Sequence, residues 1–313
     1  VTPDPASEVS VSAPTEERHP DTRRIDSMST LELLTVLNRE DATVAAAVGA
    51  VLPVLAEAVE ETVARIRAGG SVHYFGAGTS GRLAVIDAAE LRPTFNAPEG
   101  LFVAHHAGGA EALVEAVENV EDDEGSGARE AALVMAADVA VGLTASGRTP
   151  YVRGALQTAR ANGALTLLLT ANPQAQLAHL ADYLLAADTG PEVITGSTRL
   201  KAGTAQKLLL NSYSTAVMVR LGRTWSNLMV DVVATNAKLR GRVLRILREA
   251  SGVDEASARE ALQAADGELK PALLSLLAEI TAAEARVLLE EHRGSVAEAM
   301  KGHDATTGEP AGC

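Results

Sequence analysis

The run Val72–Glu90, VHYFGAGTSGRLAVIDAAE, decides how the rest of the chain is read. Ser71–Phe75 is a short apolar run that predicts a strand. Gly76, Gly78 and Gly81 then spell G-x-G-x-x-G, and the stretch Gly81–Leu91, with Leu83, Val85 and Ile86 as its apolar face, predicts a helix. Strand, glycine turn and helix in that order are the signature of a dinucleotide-binding unit. That unit also needs an acidic residue at the end of its second strand, about 20 residues on, to hold the ribose hydroxyls. Here the second strand is Leu101–Val103, and Ala104, His105 and His106 follow it. Glu99 precedes that strand, and Asp87 and Glu90 fall inside the helix, so the dinucleotide reading fails. A P-loop is excluded as well, because G-x-x-x-x-G-K-[ST] does not occur.

The same grammar recurs downstream. Val139–Leu143 is followed by TASGRTP and a helix over Tyr151–Asn162; Leu165–Thr170 and Tyr183–Ala186 read as further strands. Strands alternating with helices predict a parallel sheet covered on both faces, an α/β sandwich with its ligand at the carboxyl ends of the strands. Two turns there carry hydroxyls: Gly78–Thr79–Ser80–Gly81, and Thr144–Thr149 with Ser146, Gly147, Arg148 and Thr149. Each aims backbone N–H groups at a point where a helix dipole favours an anion, which makes both phosphate-binding candidates.

Outside this region, Ser29–Asn38 reads as a helix capped by Ser29 or Thr30, and Asp41–Ala68 as one long Ala-rich helix stopped by Gly69–Gly70. After about Val243 no strand pattern appears. Breaks near Gly252, Asp266–Gly267 and Thr281 predict a small three-helix module. The expected layout is a disordered tail over 1–22, a sheet domain over 23–242, the helical module over 243–300 and a frayed tail over 301–313.

Composition narrows the function. Aromatics are only 3%, and the net charge is −14, which argues against nucleic-acid or anionic-membrane partners. The one cysteine, Cys313, leaves no disulfide framework and no cysteine zinc site. His105 and His106 have no His or Cys partner at ligand spacing and read as pocket-wall residues. No apolar run reaches the roughly 18 residues that span a bilayer, and VTPDPASEVSVSAPTEERHPD has no signal-peptide core. A cytoplasmic protein is expected.

The two serine-bearing turns resemble a sugar isomerase (SIS) domain. GAGTSGRLAVIDAAELRPTF, ENVEDDE, ASGRTPYV, GPEVITGSTRLKAGTAQK and NLMVDVVATNAKL, in that order, and TEERHPDTRRIDSMSTLELL near the start, resemble the N-acetylmuramic acid 6-phosphate etherases. Ala89–Glu90–Leu91–Arg92 stands where that family commonly has Ser-Glu-Cys-Pro, a change in packing more than in chemistry. The resemblance implies a phosphosugar substrate, no cofactor, no metal, and elimination of a lactyl ether followed by addition of water. It implies Glu90 as the acid that protonates departing lactate and Glu121 as the base at C2. Ser80, Ser146 and Thr149, with the backbone of Gly81 and Gly147, are the expected phosphate contacts; Arg148 and Arg199 read equally as phosphate clamps or as partners of acidic neighbours such as Asp87 or Asp188. Ser197–Lys201, with Ser197 and Lys201 as named contacts, is expected to close the sugar pocket. A homodimer is expected, packed through the apolar faces of Asp41–Ala68 and Leu200–Leu221. Two rivals share the architecture: a phosphosugar-responsive regulator like the glucokinase regulatory protein, and an aldose–ketose phosphosugar isomerase. Retention of both glutamates favours the etherase.

Overall fold

The computed structural model describes residues 13–115, 117–232 and 237–307. Residues 1–12 of the expected N-terminal tail, residues 308–313, and Val233–Asn236 of NLMVDVVATNAKL lie outside the described residues. The chain divides into two compact units, one holding residues up to Ala88 with Gly100–Tyr213, the other Ala89–Glu99 with Ser214 onward. The division therefore falls inside two helices, not at the change of pattern near Val243.

The first unit is built on five parallel strands: β1 (Val72–Gly76), β2 (Phe102–His106), β3 (Val139–Leu143), β4 (Leu165–Thr170) and β5 (Tyr183–Ala186). They lie in the order β2-β1-β3-β4-β5. β3 and β4 are buried along their whole length, as expected of unbroken apolar strands covered on both faces. Winding reverses between β1 and β3, so a crevice opens at the carboxyl ends of these two strands. The glycine turn and the hydroxyl turn are the loops that leave those ends.

Helices α1 (Thr30–Asp41), α2 (Val44–Gly49) and α3 (Leu52–Arg67) precede the sheet. α1 starts at a capping box of Ser29 with Glu32. The single helix expected over Asp41–Ala68 is broken, because Pro53 lacks an N–H and its ring would meet the carbonyl of Gly49 in a continuous helix. At the other end α3 closes as expected, with Gly69 at φ 95°. α4 (Gly78–Phe95) begins at Gly78, ahead of the expected Gly81. α5 (Glu111–Val114), α6 (Glu124–Glu130), α7 (Pro150–Ala161) and α8 (Lys201–Arg220) complete the helices that begin in this unit. Phe75, Tyr151, Leu156 and Leu168 are buried together in the core between α7 and the sheet.

Residues 13–22 are not a tail. Pro14–Glu16 and Pro20–Thr22 form short 3-10 turns, and Ala13, Thr15, His19 and Thr22 are buried. Each turn begins with a proline, whose fixed φ suits a first helical position.

The second unit holds a small hairpin, β6 (Thr224–Trp225) with β7 (Leu228–Met229), and five helices where three were expected. These are α9 (Ala237–Ser251), α10 (Glu255–Ala264), α11 (Leu269–Ala278), α12 (Ala282–Glu291) and α13 (Val296–Thr307). α13 continues past position 301, where a frayed tail was expected. The extra break is at Arg293 and Gly294, both at positive φ, and it matches the break at Asp266 and Gly267. Further positions match at the same spacing: N-caps Asp254 and Thr281, fully buried Ala258 and Ala285, and fully buried Ala272 and Ala299. α10–α11 and α12–α13 are thus two copies of one helical hairpin.

Candidate active site

Three glycines shape the crevice, two because side chains would not fit and one through its backbone conformation. A Cβ on Gly81 would lie 2.5 Å from the Gly76 carbonyl oxygen and 2.6 Å from His106 Cδ2, so α4 can rest on the end of β1 only with glycine there. Gly147 has φ 74°, and a Cβ on it would strike Ala175. Gly78, at φ 53°, faces open space and lets backbone approach a ligand.

Ser80 is buried, and its Oγ donates to Gln206 Oε1 on α8 at 2.8 Å. Gln206 Nε2 is left buried without a partner, a donor free for a ligand oxygen. Thr79 lies against Gly203 of α8.

The second turn is organised by a residue that the sequence reading placed in the turn without naming it as a contact. Thr144 is buried; its Oγ1 lies 2.7 Å from Thr149 Oγ1 and 3.4 Å from Ser146 Oγ, and it accepts the Gly147 N–H at 3.2 Å. Asn172 secures the turn from β4 by donating to the Ser146 carbonyl at 3.0 Å. Hydroxyls of Thr144, Ser146 and Thr149 are therefore gathered at the start of α7, whose N-terminal dipole favours an anion. Arg148 joins them with its Nη1 buried and unpartnered.

Glu121 is brought beside this turn by a close helix crossing. A Cβ on Gly127 of α6 would strike the Tyr151 carbonyl, and one on Gly154 of α7 would strike the Glu124 carbonyl. The two bare backbones pass in contact, and the Glu121 carbonyl accepts the Tyr151 N–H at 3.0 Å. Two cavities meet at Glu121. The first, about 300 Å³, includes Ser146, Arg148 and Thr149 with Glu16 and Gln176 in its wall. The second, about 390 Å³, is walled by Gly78, Arg82, His106 and Asn119. Arg82 braces the second by donating to the carbonyls of Ala112, Leu113 and Glu115.

His106 is a wall residue, as expected, with Nδ1 donating to the Ala107 carbonyl at 2.8 Å. His105 instead stacks on Phe75, ring centroids 4.5 Å apart, and its Nε2 meets His73 Nδ1 at 3.0 Å. Burial, with His73 beside it, lowers the His105 pKa to about 4. Among the described residues no three His, Cys, Asp or Glu side chains converge as a metal cage requires.

Three expectations change. Lys201 is buried, and its Nζ is already paired with Glu40 Oε2 at 3.0 Å, so its ammonium anchors the chain and does not wall either cavity. Ser197 is half-buried and closes the Ile194–Ser197 turn that Gly196 makes possible at φ 76°, outside both cavity walls. Glu90 is exposed on α4, with Ile86 60% exposed one turn before it, whereas partial burial was expected. Asp87, between them, turns inward to accept from Tyr74 Oη and Asn211 Nδ2.

Comparison with known proteins agrees with this fold. Residues 54–160 match the glucokinase regulatory protein N-terminal SIS domain, and residues 111–216 the SIS domain. A phosphoheptose isomerase from Francisella tularensis shares the fold, with TM-score 0.51 and 20% identity over 61% of this chain and all of that one. An N-acetylmuramic acid 6-phosphate etherase of Thermobifida fusca is 60% identical over 85% of this chain and 88% of its own length. One from Klebsiella aerogenes is 48% identical over 91% of this chain and 96% of its own. The chain belongs to the N-acetylmuramic acid 6-phosphate etherase family.

Proposed function

We propose that this chain removes D-lactate from N-acetylmuramic acid 6-phosphate, leaving N-acetylglucosamine 6-phosphate, in cytoplasmic recycling of cell-wall amino sugars. The observation that carries the reading is the position of Glu121, on the wall shared by two cavities and pinned to the start of α7 beside the hydroxyl turn. The phosphate is held by Ser146, Thr149 and Arg148, with Thr144 setting the hydroxyls; Ser80 and the backbone of Gly78–Gly81 line the sugar's path.

Water cannot readily displace an alkyl ether, but the open-chain aldehyde acidifies the proton on C2. Glu121 takes that proton as a carboxylate. The C3–O bond then breaks, its electron pair leaves with the lactyl oxygen, and Glu90 supplies a proton to that oxygen. Water adds across the resulting double bond, its hydroxyl to C3 and a proton to C2, so the net change is one water consumed and one lactate released. Glu90 must be protonated to serve, and its exposure in the single chain is poorly suited to that. A second copy covering Ile86 and Glu90 would enclose the carboxyl away from bulk water. We therefore place the active form as a homodimer.

The test is lactate release from N-acetylmuramic acid 6-phosphate in D₂O, followed by NMR. Glu90→Gln should lose lactate release by roughly 10²–10⁴ and still exchange the C2 proton, while Glu121→Gln should lose both. Wild-type turnover in both variants would remove the glutamates from the mechanism.

A further inference from the structure

The segment before α1 reaches the candidate site, and it does so through a buried lock. His19 Nδ1 accepts the Asp21 N–H, so its Nε2 carries the proton and donates to Glu40 Oε2 at 3.0 Å. The same Glu40 oxygen meets Lys201 Nζ at 3.0 Å. Burial pushes the Glu40 carboxyl up, but Lys201 and His19 outweigh it and hold it below its ordinary value. Lys201 and Ala202 in turn donate their backbone N–H groups to the fully buried Glu192 carboxylate. Two more bonds tie the strap to the loop before α8: Thr22 Oγ1 to the Val193 carbonyl at 2.9 Å, and Gly196 N–H to the Thr15 carbonyl at 3.0 Å.

Between those two ties the strap carries Glu16 into the wall of the first cavity, facing the same space as Ser146, Arg148 and Thr149. Gly196 makes room for it: a Cβ there would come within 3.0 Å of Glu16 Oε2. Among the described residues no side chain pairs with this carboxylate. A carboxylate held in an anion-binding cavity repels the phosphate itself and can only accept hydrogen bonds. With Arg148 assigned to the phosphate and Arg153 paired with Glu124, the partner left for Glu16 is a neutral donor on the rest of the ligand.

We propose that Glu16 is a substrate-selecting residue, accepting a hydrogen bond from an N–H or O–H of the sugar whose phosphate sits at Thr144–Thr149. This rests on the reading of that turn as the phosphate site. The strap lock exists, in this view, to hold one acceptor at a fixed distance from the phosphate donors. That acceptor favours an amino-sugar phosphate over a bare anion of the same charge.

The experiment uses the full chain with Glu16→Ala, Glu16→Gln and Ser146→Ala. Glu16 is exposed, so neither of its variants threatens folding. Loss of one hydrogen bond from a bound donor is worth about tenfold in affinity. Glu16→Ala should therefore raise KM about tenfold with kcat within twofold. Glu16→Gln keeps an acceptor but removes the charge, so inorganic phosphate should inhibit it several-fold more tightly than wild type, a gain that a merely structural role would not produce. Inhibition by N-acetylglucosamine 6-phosphate, glucose 6-phosphate and 2-deoxyglucose 6-phosphate locates the donor. A loss in Glu16→Ala that spares only the 2-deoxy sugar assigns it to C2; an equal loss for all three assigns it to another hydroxyl. If Ser146→Ala relieves phosphate inhibition while both Glu16 variants keep wild-type constants, the role of Glu16 is overturned and the phosphate site stands. If phosphate inhibits all four proteins alike, both fall.

Discussion

A threonine hydroxyl decides more at this site than its neighbours do. Thr144 contacts Ser146, the Gly147 N–H and Thr149, so one buried oxygen sets three of the expected phosphate contacts. Its neighbours were legible in sequence because a tight turn alone needs only the glycine, and Ser146 and Thr149 set hydroxyls beside it. Thr144 was read only as the residue that opens the turn, because nothing in its residue type shows that its hydroxyl faces inward to bond the others. Lys201 erred in the other direction. A cation next to a hydroxyl-rich segment looks like a contact that closes the sugar pocket, and only the fold reveals Glu40, 161 positions away, as its partner. His105 yields a prediction at the same scale. Its ring is packed against Phe75 and His73, with the Glu130 carboxylate 3.6 Å from Nδ1, and its pKa lies near 4 against an ordinary 6.5. Above pH 6.5 both folded and unfolded chains carry it neutral. As pH falls from 6.5 towards 4, the unfolded chain binds the proton and the folded one does not, so stability falls across that window by an amount of order 3 kcal/mol. Urea denaturation at pH 7.5 and pH 4.5 should show this loss in wild type and a smaller one in His105→Phe, which keeps the stack on Phe75. Equal losses in both would mean that another group titrates.

At the scale of elements, the five strands of the parallel sheet could be read from short apolar runs, and the turn after β1 from its glycines; the hairpin of β6 and β7, two residues to a strand, could not. What could not be read was set by contacts distant in sequence or by residues in uncommon conformations. Pro53 divides a helix that Ala-rich periodicity presents as continuous. Arg293 holds φ 55°, a conformation that nothing in its residue type announces, and so the last helical break was missed. Glu16 and Gln206 belong to the site's surroundings through partners far along the chain, Gly196 and Ser80 respectively. The crossing of α6 and α7 was likewise invisible, since Gly127 and Gly154 look like ordinary helix-weakening glycines. Their role predicts an outcome. Gly154→Ala adds a methyl that must displace the Glu124 carbonyl, so it should destabilise the protein by about 1–3 kcal/mol although alanine is the better helix former. Because Glu121 hangs from the same crossing, kcat/KM should fall as well, in protein that remains folded by circular dichroism. A stabilised variant with full activity would show that the helices have room to part.

For the molecule as a whole, the proposed homodimer has a candidate contact other than the helix faces that periodicity suggests. Leu55, Val59 and Val63 of α3, and Ala202, Ala205 and Leu209 of α8, are buried within the chain, so those apolar faces are already used. Ile86 on α4 is 60% exposed, and it stands one turn from Glu90, the carboxyl whose acid role calls for desolvation. An isologous contact at this face would bury the apolar side chain and enclose the acid in the same step. Electrostatics oppose it: each chain carries −14, so pairing doubles the charge, and the contact must draw on apolar burial. The protein should therefore sediment at about twice 32.4 kDa at micromolar concentration, and should dissociate more readily at low ionic strength, where repulsion is least screened. Ile86→Glu places a like charge on both sides of the proposed contact and should yield a monomer. If enclosure of Glu90 matters, that monomer keeps its affinity for inorganic phosphate, because the hydroxyl turn is untouched, and loses lactate release. A monomeric Ile86→Glu protein with wild-type turnover would overturn the dimer as the working form.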